Sequence, residues 1–185
     1  MRKILSLLFF VTSFNSVVCG AASSQESLEI SELNNSYVLK VPVSRLVMII
    51  PKDGLSPAKN TGGAADSPRY FYLEDKTSSL IISGWFEPEQ AFSGMKKFWQ
   101  AETEAWKRKG ILNPQNVSFV KIGGWDAITY DMPIASGSNP HIRAHWLQAG
   151  TWIDIHLSII SSRPRQEAGA QLQSLLKAIQ VKDKK

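Results

Sequence analysis

The amino-acid sequence predicts a single α+β domain in which helices pack on an antiparallel β-sheet. The first observation is the order of its segments: strand-like stretches, one helical stretch, further strand-like stretches and a final helical stretch. A parallel sheet needs a repeated β-α-β alternation, which is missing here. The second observation is size, because 185 residues, of which 43% are hydrophobic, are enough to build one hydrophobic core.

Residues 1–22 have the three-part layout of a secretory signal peptide. Arg2 and Lys3 supply positive charge, residues 4–11 are mostly apolar, and small residues occupy positions 20–22. Polar residues interrupt the apolar stretch, which is too short to span a membrane well. We therefore expect a protein exported to the periplasm or secreted, with no transmembrane segment in the mature chain.

Cys19 is the only cysteine of the chain and lies at the expected processing site. A lipidated cysteine usually follows a small residue, but Val18 precedes it here, and Ser16 stands where leucine is usual. The pattern favours loss of Cys19 with the signal peptide over lipoprotein anchoring, with cleavage after Gly20 or Ala22. A mature chain without cysteine excludes disulfides and thiol catalysis.

The first part of the mature chain divides into a leader, a strand pair and a loop. Residues 23–36 are polar and predict a flexible leader, so the domain is expected to span 37–185. Residues 37–50 are strand-like, and Pro42 divides them into two strands or marks an edge. Residues 51–68 predict a long loop, which carries no Gly-Lys-Ser/Thr phosphate-binding motif.

A hairpin and the first helix are predicted next. Residues 69–73 and 80–86 read as paired strands. Pro88 is expected to open a helix that Gly110 ends. We interpret the aromatic stripe of this helix as core packing rather than as a ligand site. The stripe comprises Phe92, Met95, Phe98, Trp99, Ala105 and Trp106.

Two further hairpins and a second helix complete the predicted domain. Residues 117–122 and 125–134 flank a two-glycine turn, and residues 142–147 and 152–160 form the last hairpin. Ser162 is expected to cap a C-terminal helix. The helical spacing is that of Ala168, Leu172, Leu175, Leu176 and Ile179.

The last hairpin separates apolar from polar residues completely. A two-residue turn at 149–150 opposes apolar residues in three pairs: Trp146–Ile153, Ala144–Ile155 and Ile142–Leu157. The alternate pairs are polar: His145–Asp154, Arg143–His156 and His141–Ser158. Because side chains alternate along a strand, the two sets lie on opposite faces of the sheet. All three histidines of the protein therefore share one face.

That polar face carries the candidate binding residues, for which two interpretations stay open. Arg143, His145, Asp154, His156 and His141 could form a site for a metal, an anion or acid–base chemistry. Alternatively, they could be a solvated sheet face with cross-strand ion pairs. In either case an ionised Asp154 is expected to raise the pKa of His145.

Metal binding and hydrolysis are weaker hypotheses for the same face. His141 and His145 lie roughly 13 Å apart along a strand and cannot share one ion, although His145, Asp154 and His156 could. Asp154, His156 and Ser158 are the residue types of a hydrolase triad, but a serine in mid-strand lacks an exposed turn and an oxyanion hole. We assign no catalytic residue, no metal and no cofactor.

The layout resembles the PsbP-like fold, which is named for an accessory protein of photosystem II and occurs in many small exported bacterial proteins. The resemblance rests on residues 37–50, on Ser-Gly-Trp-Phe-Glu-Pro at 83–88, on Gly-Gly-Trp-Asp-Ala-Ile at 123–128 and on the C-terminal helix. It implies an α/β sandwich and a non-enzymatic binding or assembly role.

These observations together predict an exported, non-enzymatic binding or accessory protein that contacts another protein in the cell envelope. The charge, 21 Lys and Arg against 16 Asp and Glu, is mildly basic and scattered, which argues against a nucleic-acid partner. The alternative is a small-molecule or metal-binding module that uses the polar face of the last hairpin. A hydrolase that uses the same face ranks below it.

Overall fold

A computed structural model describes residues 27–58 and 69–184 of the chain. The expected signal peptide, Cys19 and most of the long loop predicted over 51–68 lie outside the described residues. The described part contains two antiparallel sheets and two α-helices, which confirms the predicted α+β class. Neither helix in this part is long and apolar enough to cross a membrane.

The strands are β1 (Glu29–Leu33), β2 (Ser36–Lys40), β3 (Leu46–Pro51), β4 (Ser56–Pro57), β5 (Tyr70–Asp75), β6 (Leu80–Pro88), β7 (Gln115–Ile122), β8 (Trp125–Asp131), β9 (Pro140–Gln148), β10 (Thr151–Ile159) and β11 (Gln180–Asp183). The helices are α1 (Met95–Arg108) and α2 (Arg165–Ala178).

The smaller sheet has the strand order β1-β2-β3-β11 and corrects the expected flexible leader. Within that segment, β1 forms a hairpin with β2 through Asn34 and Asn35, both at positive φ, which asparagine tolerates well. All of its residues are exposed, so backbone pairing rather than burial holds this strand. The composition of β1 therefore shows no hydrophobic alternation from which a strand could be predicted. Pro42 does separate two strands, as predicted.

The smaller sheet also contains a strand that the sequence did not predict. After α2 ends, β11 pairs antiparallel with β3 and forms one edge of the sheet. Its sequence, Gln-Val-Lys-Asp, has little strand character, and half of it is exposed. Only the return of α2 across the sheet brings this segment beside β3.

The larger sheet has the strand order β4-β5-β6-β10-β9-β8-β7. The predicted hairpins of β5 with β6, β7 with β8, and β9 with β10 are all present. The predicted pairs of the last hairpin, from Trp146–Ile153 to His141–Ser158, are confirmed. Its turn places Ala149 and Gly150 at positive φ, the geometry of a two-residue hairpin turn.

Both helices begin later than the sequence predicted. Pro88 is the last residue of β6, where it pairs with Thr151, and α1 starts only after Gly94 at a φ of 92°. At the other helix Pro164 occupies the N-cap, so the expected cap Ser162 lies outside it. Gly110 follows α1 at a φ of 69°, as a terminating glycine should.

The main core lies between one face of the larger sheet and the layer formed by α2 and the smaller sheet. Ile153 and Ile155 are fully buried there, as predicted, whereas Trp146 is only half-buried. The Trp146 ring packs beside Trp125 and directly over Gly124, where a Cβ atom would come within 2.2 Å of it. This contact explains the second glycine of the β7–β8 turn.

Candidate functional site

The polar face of the last hairpin is covered by α1, which corrects its interpretation as a solvated surface. His145 is 1% exposed and Asp154 is 4% exposed, so both belong to the protein interior. The five predicted residues, Arg143, His145, Asp154, His156 and His141, do lie together on the face opposite the main core. They form a second, polar interior between α1 and the sheet, which we call the polar cluster.

Helix α1 covers this face through long side chains rather than through close backbone packing. The Phe98 ring lies 4.4 Å from the His145 ring and 5.2 Å from the Arg143 guanidinium, measured between centres. Trp99 and Trp106 contact the Tyr130 ring at 4.9 and 5.6 Å. None of the α1 side chains is fully buried. The aromatic stripe thus packs inward as predicted, but onto polar groups.

Arg143 joins the sheet to α1 through two carboxylates. Its Nη2 atom lies 3.2 Å from Asp154 Oδ2 and 3.5 Å from Glu102 Oε1 of α1. Burial acts to lower the pKa of Arg143, but Asp154 and Glu102 outweigh it and raise the pKa. For Asp154, burial exceeds the effect of Arg143 and raises its pKa to about 6.

His145 is held as a neutral imidazole. The indole N–H of Trp152 donates to His145 Nδ1 at 3.2 Å, so this nitrogen acts as an acceptor. Asp154 Oδ1 lies 3.4 Å from the same atom. Burial, together with the neighbouring Arg143 cation, lowers the pKa of His145 to about 3. The expected rise in its pKa was therefore wrong, because Asp154 is committed to Arg143 and burial penalises the imidazolium.

The other two histidines form a pair beside Tyr130. His141 Nδ1 and His156 Nε2 are 2.8 Å apart, and the rings lie within 16° of parallel. Tyr130 stacks on His141, and its hydroxyl lies 3.4 Å from His156 Nε2. Burial lowers the pKa of His141 to about 4. Burial, with the cation of Arg143, lowers the pKa of His156 well below its ordinary value.

This geometry assembles neither the hydrolase triad nor the metal site, the two weaker hypotheses for this face. Asp154 pairs with Arg143, while His156 pairs with His141, so no Asp-His-Ser relay runs along β10. In residues 27–58 and 69–184, no three His, Cys, Asp or Glu side chains are placed to hold a metal ion. Within the described residues the polar cluster thus combines titratable side chains with the Arg143–Asp154 charge pair.

The polar cluster leaves several buried atoms without hydrogen-bond partners. The orphaned atoms here are His141 Nε2, Arg143 Nε, His145 Nε2 and Asp154 Oδ1. A buried polar atom without a partner costs about 1–3 kcal/mol. Only two further buried side-chain atoms in the described residues lack a hydrogen-bond partner, so the unsatisfied atoms are concentrated in the polar cluster.

Glu102 is the functional neighbour that sequence reasoning missed. It lies four residues after Phe98 and four before Trp106, within the aromatic stripe itself. Residues four apart share one helix face, so an acidic residue inside an apolar stripe signals a buried partner. Pairing Glu102 with Arg143 would have required knowing that α1 lies over β9 rather than over the main core.

A second notable surface is the outer edge of the larger sheet. Strand β7 lies at the end of the sheet, and all of its residues except Ile122 are exposed. Val117, Phe119 and Val120 are 36–47% exposed. Among the described residues, the outer backbone edge of β7 pairs with no other strand.

Comparison with known proteins places this chain in no family. No family model matches it, and no curated protein matches it. A crystal structure of a protein from Bacteroides thetaiotaomicron VPI-5482 aligns with a TM-score of 0.44 and 10% sequence identity. The alignment covers 74% of this chain and 45% of that one, so this chain spans less than half the length of that protein.

Proposed function

We propose that this protein is an exported, non-enzymatic binding protein of the cell envelope, and that it contacts another protein through β7. The observation that carries the proposal is the exposed apolar edge strand. The resemblance of the layout to the PsbP-like fold, whose members are mostly binding or assembly factors, points in the same direction. The leading sequence pattern supports export.

Strand β7 has the properties of a site for strand addition. An edge strand presents unpaired N–H and C=O groups, which an extended segment of a partner can pair with. Natural edge strands are commonly protected by proline or by charge. β7 contains no proline and no acidic residue, and its single charge, Lys121, is paired with Asp126 at 2.6 Å.

The apolar surface continues into the segment that joins α1 to β7. Ile111 and Leu112 are 41% and 62% exposed in that segment. Val117, Phe119 and Val120 follow within the next eight residues, and Phe119 and Val120 lie on opposite faces of the strand. The segment therefore exposes several apolar side chains around the unpaired edge, as protein–protein contact sites commonly do. We therefore infer that the partner offers an extended, apolar segment.

Site-specific crosslinking in the producing cell tests this proposal. A photo-crosslinking residue replaces Phe119, and the matched control replaces Lys76, which is 84% exposed in the β5–β6 turn. We expect a discrete crosslinked species from position 119 only, and its loss when Val117→Lys is added. Equal crosslinking from both positions, or none from position 119, would contradict a contact at β7.

The intact mass of the exported protein tests the compartment. We expect a mature N-terminus between Ala21 and Ser23, because small residues follow the apolar stretch. A mass that includes diacylglycerol on Cys19 would replace this proposal with a lipoprotein.

A small-molecule site is the second candidate, favoured by one cavity. About 400 Å³ of space lies beside His141, Ser158, Glu74 and Ile81 at the margin of the polar cluster. Thermal-shift scans of the purified protein with divalent ions and small metabolites test this candidate, with His141→Phe as the control. A shift that the variant abolishes would favour this function over protein contact.

A further inference from the structure

All three histidines of the chain lie in one polar layer, on the sheet face that α1 covers. The Phe98 ring of α1 packs on His145, whereas His141 and His156 lie beside Tyr130, which Trp99 and Trp106 of α1 contact. The charged and titratable groups that face them come from every element around the layer. Those groups are Tyr70 of β5, Glu102 of α1, Asp126, Tyr130 and Asp131 of β8, Arg143 of β9 and Asp154 of β10.

We propose that α1 is a proton-sensitive lid, which stays docked while the three histidines are neutral and leaves the sheet when they are protonated.

The charge balance of the layer supports this device. With neutral histidines it holds one cation, Arg143, between two carboxylates, Asp154 and Glu102. Protonation of His141, His145 and His156 adds three positive charges around Arg143. Protonation of Asp154, whose pKa burial raises to about 6, acts in the opposite sense and favours the docked state, so the histidines must outweigh it. The cations all lie on the sheet, and the α1 side chain that pairs with them is the anion Glu102, so protonation acts on α1 through solvation. An imidazolium that α1 keeps from water is destabilised, and departure of α1 would hydrate it.

The attachment of α1 is suited to release. Its side chains are all at least partly exposed, and within residues 27–58 and 69–184 its ion pair to the sheet is that of Glu102 with Arg143. Gly94 and Gly110 flank the helix at positive φ, and neither has another atom within 4 Å of the place where a Cβ would stand. The two glycines are therefore unpacked at their Cβ positions, while Phe92, two residues before Gly94, packs on His145 and Trp152 and stays with the sheet.

Opening would also relieve the orphaned atoms of the layer. His141 Nε2, Arg143 Nε, His145 Nε2 and Asp154 Oδ1 are buried without partners while α1 is docked. Water would supply those partners once α1 moves away.

Distance measurement between spin labels tests the lid. In a chain carrying Cys19→Ser, labels at Lys97→Cys on α1 and Lys76→Cys in the β5–β6 turn report α1 against the sheet. A matched pair at Lys76→Cys and Lys177→Cys on α2 reports the rest of the fold. All three lysines are exposed. Distances are recorded between pH 7.5 and 4.

We expect the α1 pair to change from one narrow distribution to a longer, broader one, while the α2 pair stays unchanged. The midpoint should fall between about 4 and 6.5, the lowered pKa of His141 and the ordinary pKa of histidine. Combined His141→Gln, His145→Gln and His156→Gln should lower the midpoint by at least a pH unit or abolish the change. If that variant does not fold, His156→Gln alone should lower it measurably.

Three results would overturn the proposal. In the first, the α1 pair keeps its distribution down to pH 4. In the second, both pairs broaden at the same pH, which is global acid unfolding. In the third, the histidine variants open at the same pH as the parent chain. None of these results depends on β7, so the lid and the proposed partner contact fail independently.

Discussion

The two faces of the larger sheet are built on opposite principles, although the same strands supply both. On one face Ile153, Ile155 and Leu157 pack with α2 and the smaller sheet, and their exposure is zero. On the other face their neighbours Asp154 and His156 pair with Arg143 and His141 of β9, and α1 covers this layer through Phe98 and Glu102. The first face derives its stability from apolar burial. The second depends on protonation state, and this dependence makes it the more responsive half of the molecule.

The largest expected effect comes from breaking the charge pair at the centre of the polar face. Arg143→Met leaves the buried Asp154 carboxylate without its cation, which should destabilise the fold by about 3–5 kcal/mol at pH 7.5. Adding Asp154→Leu should recover most of the lost stability, because replacing both charges of a buried pair by apolar groups changes the free energy of unfolding little. Urea unfolding of the single and double variants measures both effects. A loss below about 1 kcal/mol in the single variant would mean that the pair is solvated.

On the apolar face, Ile155→Ala should lower the free energy of unfolding by about 2–5 kcal/mol, because it leaves a cavity in a close-packed core. Ile160→Ala is the matched control, since Ile160 follows β10 and is 59% exposed. The control should change stability by less than about 0.5 kcal/mol. Similar values for both variants in denaturant unfolding would show that this face is not packed as described.

Lowering the pH should reduce the free energy of unfolding through the histidines of the polar face. The folded-state pKa values of His141 and His145, about 4 and about 3, lie below the ordinary value. Their contribution to stability is therefore complete above about pH 6.5 and is lost as the pH falls toward 4. The raised pKa of Asp154 acts in the opposite sense, adding stability as the pH falls below about 6, but it is one group against three histidines.

The net expectation is a loss of about 3 kcal/mol between pH 7.5 and 5.5, because three histidines lose about 1.4 kcal/mol each and Asp154 offsets about 1 kcal/mol. Denaturant unfolding at the two pH values measures it, and the variant with all three histidines changed to glutamine should show little or none of it. A parent protein that becomes more stable at pH 5.5 would contradict the buried, neutral histidines.

The smallest expected effect concerns the link between the two layers of the polar face. Glu102→Gln removes the ion pair from α1 to Arg143, and its side chain is 27% exposed, so we expect a loss of about 1 kcal/mol. Glu104→Gln is the matched control, because Glu104 is exposed and only accepts a hydrogen bond from Gln100. Thermal unfolding of both variants distinguishes them. An equal effect would show that Glu102 does not anchor α1.

The sequence predicts those parts of the site that depend on contacts within one hairpin, and it does not predict contacts between elements far apart in the chain. The register of β9 against β10, and hence the meeting of the five candidate residues on one face, follows from strict alternation around a two-residue turn. The partners Glu102 and Tyr130 belong to elements whose position over that face has no local signal. The same reason explains β1 and β11, because exposed strands held by backbone pairing carry no hydrophobic pattern.

By itself the sequence determined the α+β class, the hairpins, the helix-ending Gly110 and the gathering of three histidines on one face. These follow from periodicity and turn chemistry, which act over a few residues. Only the tertiary structure decided what covers that face. The alternation of polar and apolar residues in β9 and β10 is the same whether the polar face is open to solvent or buried beneath a helix. The placement of α1 excludes water from the polar face, and this exclusion, rather than residue type, sets the protonation states there.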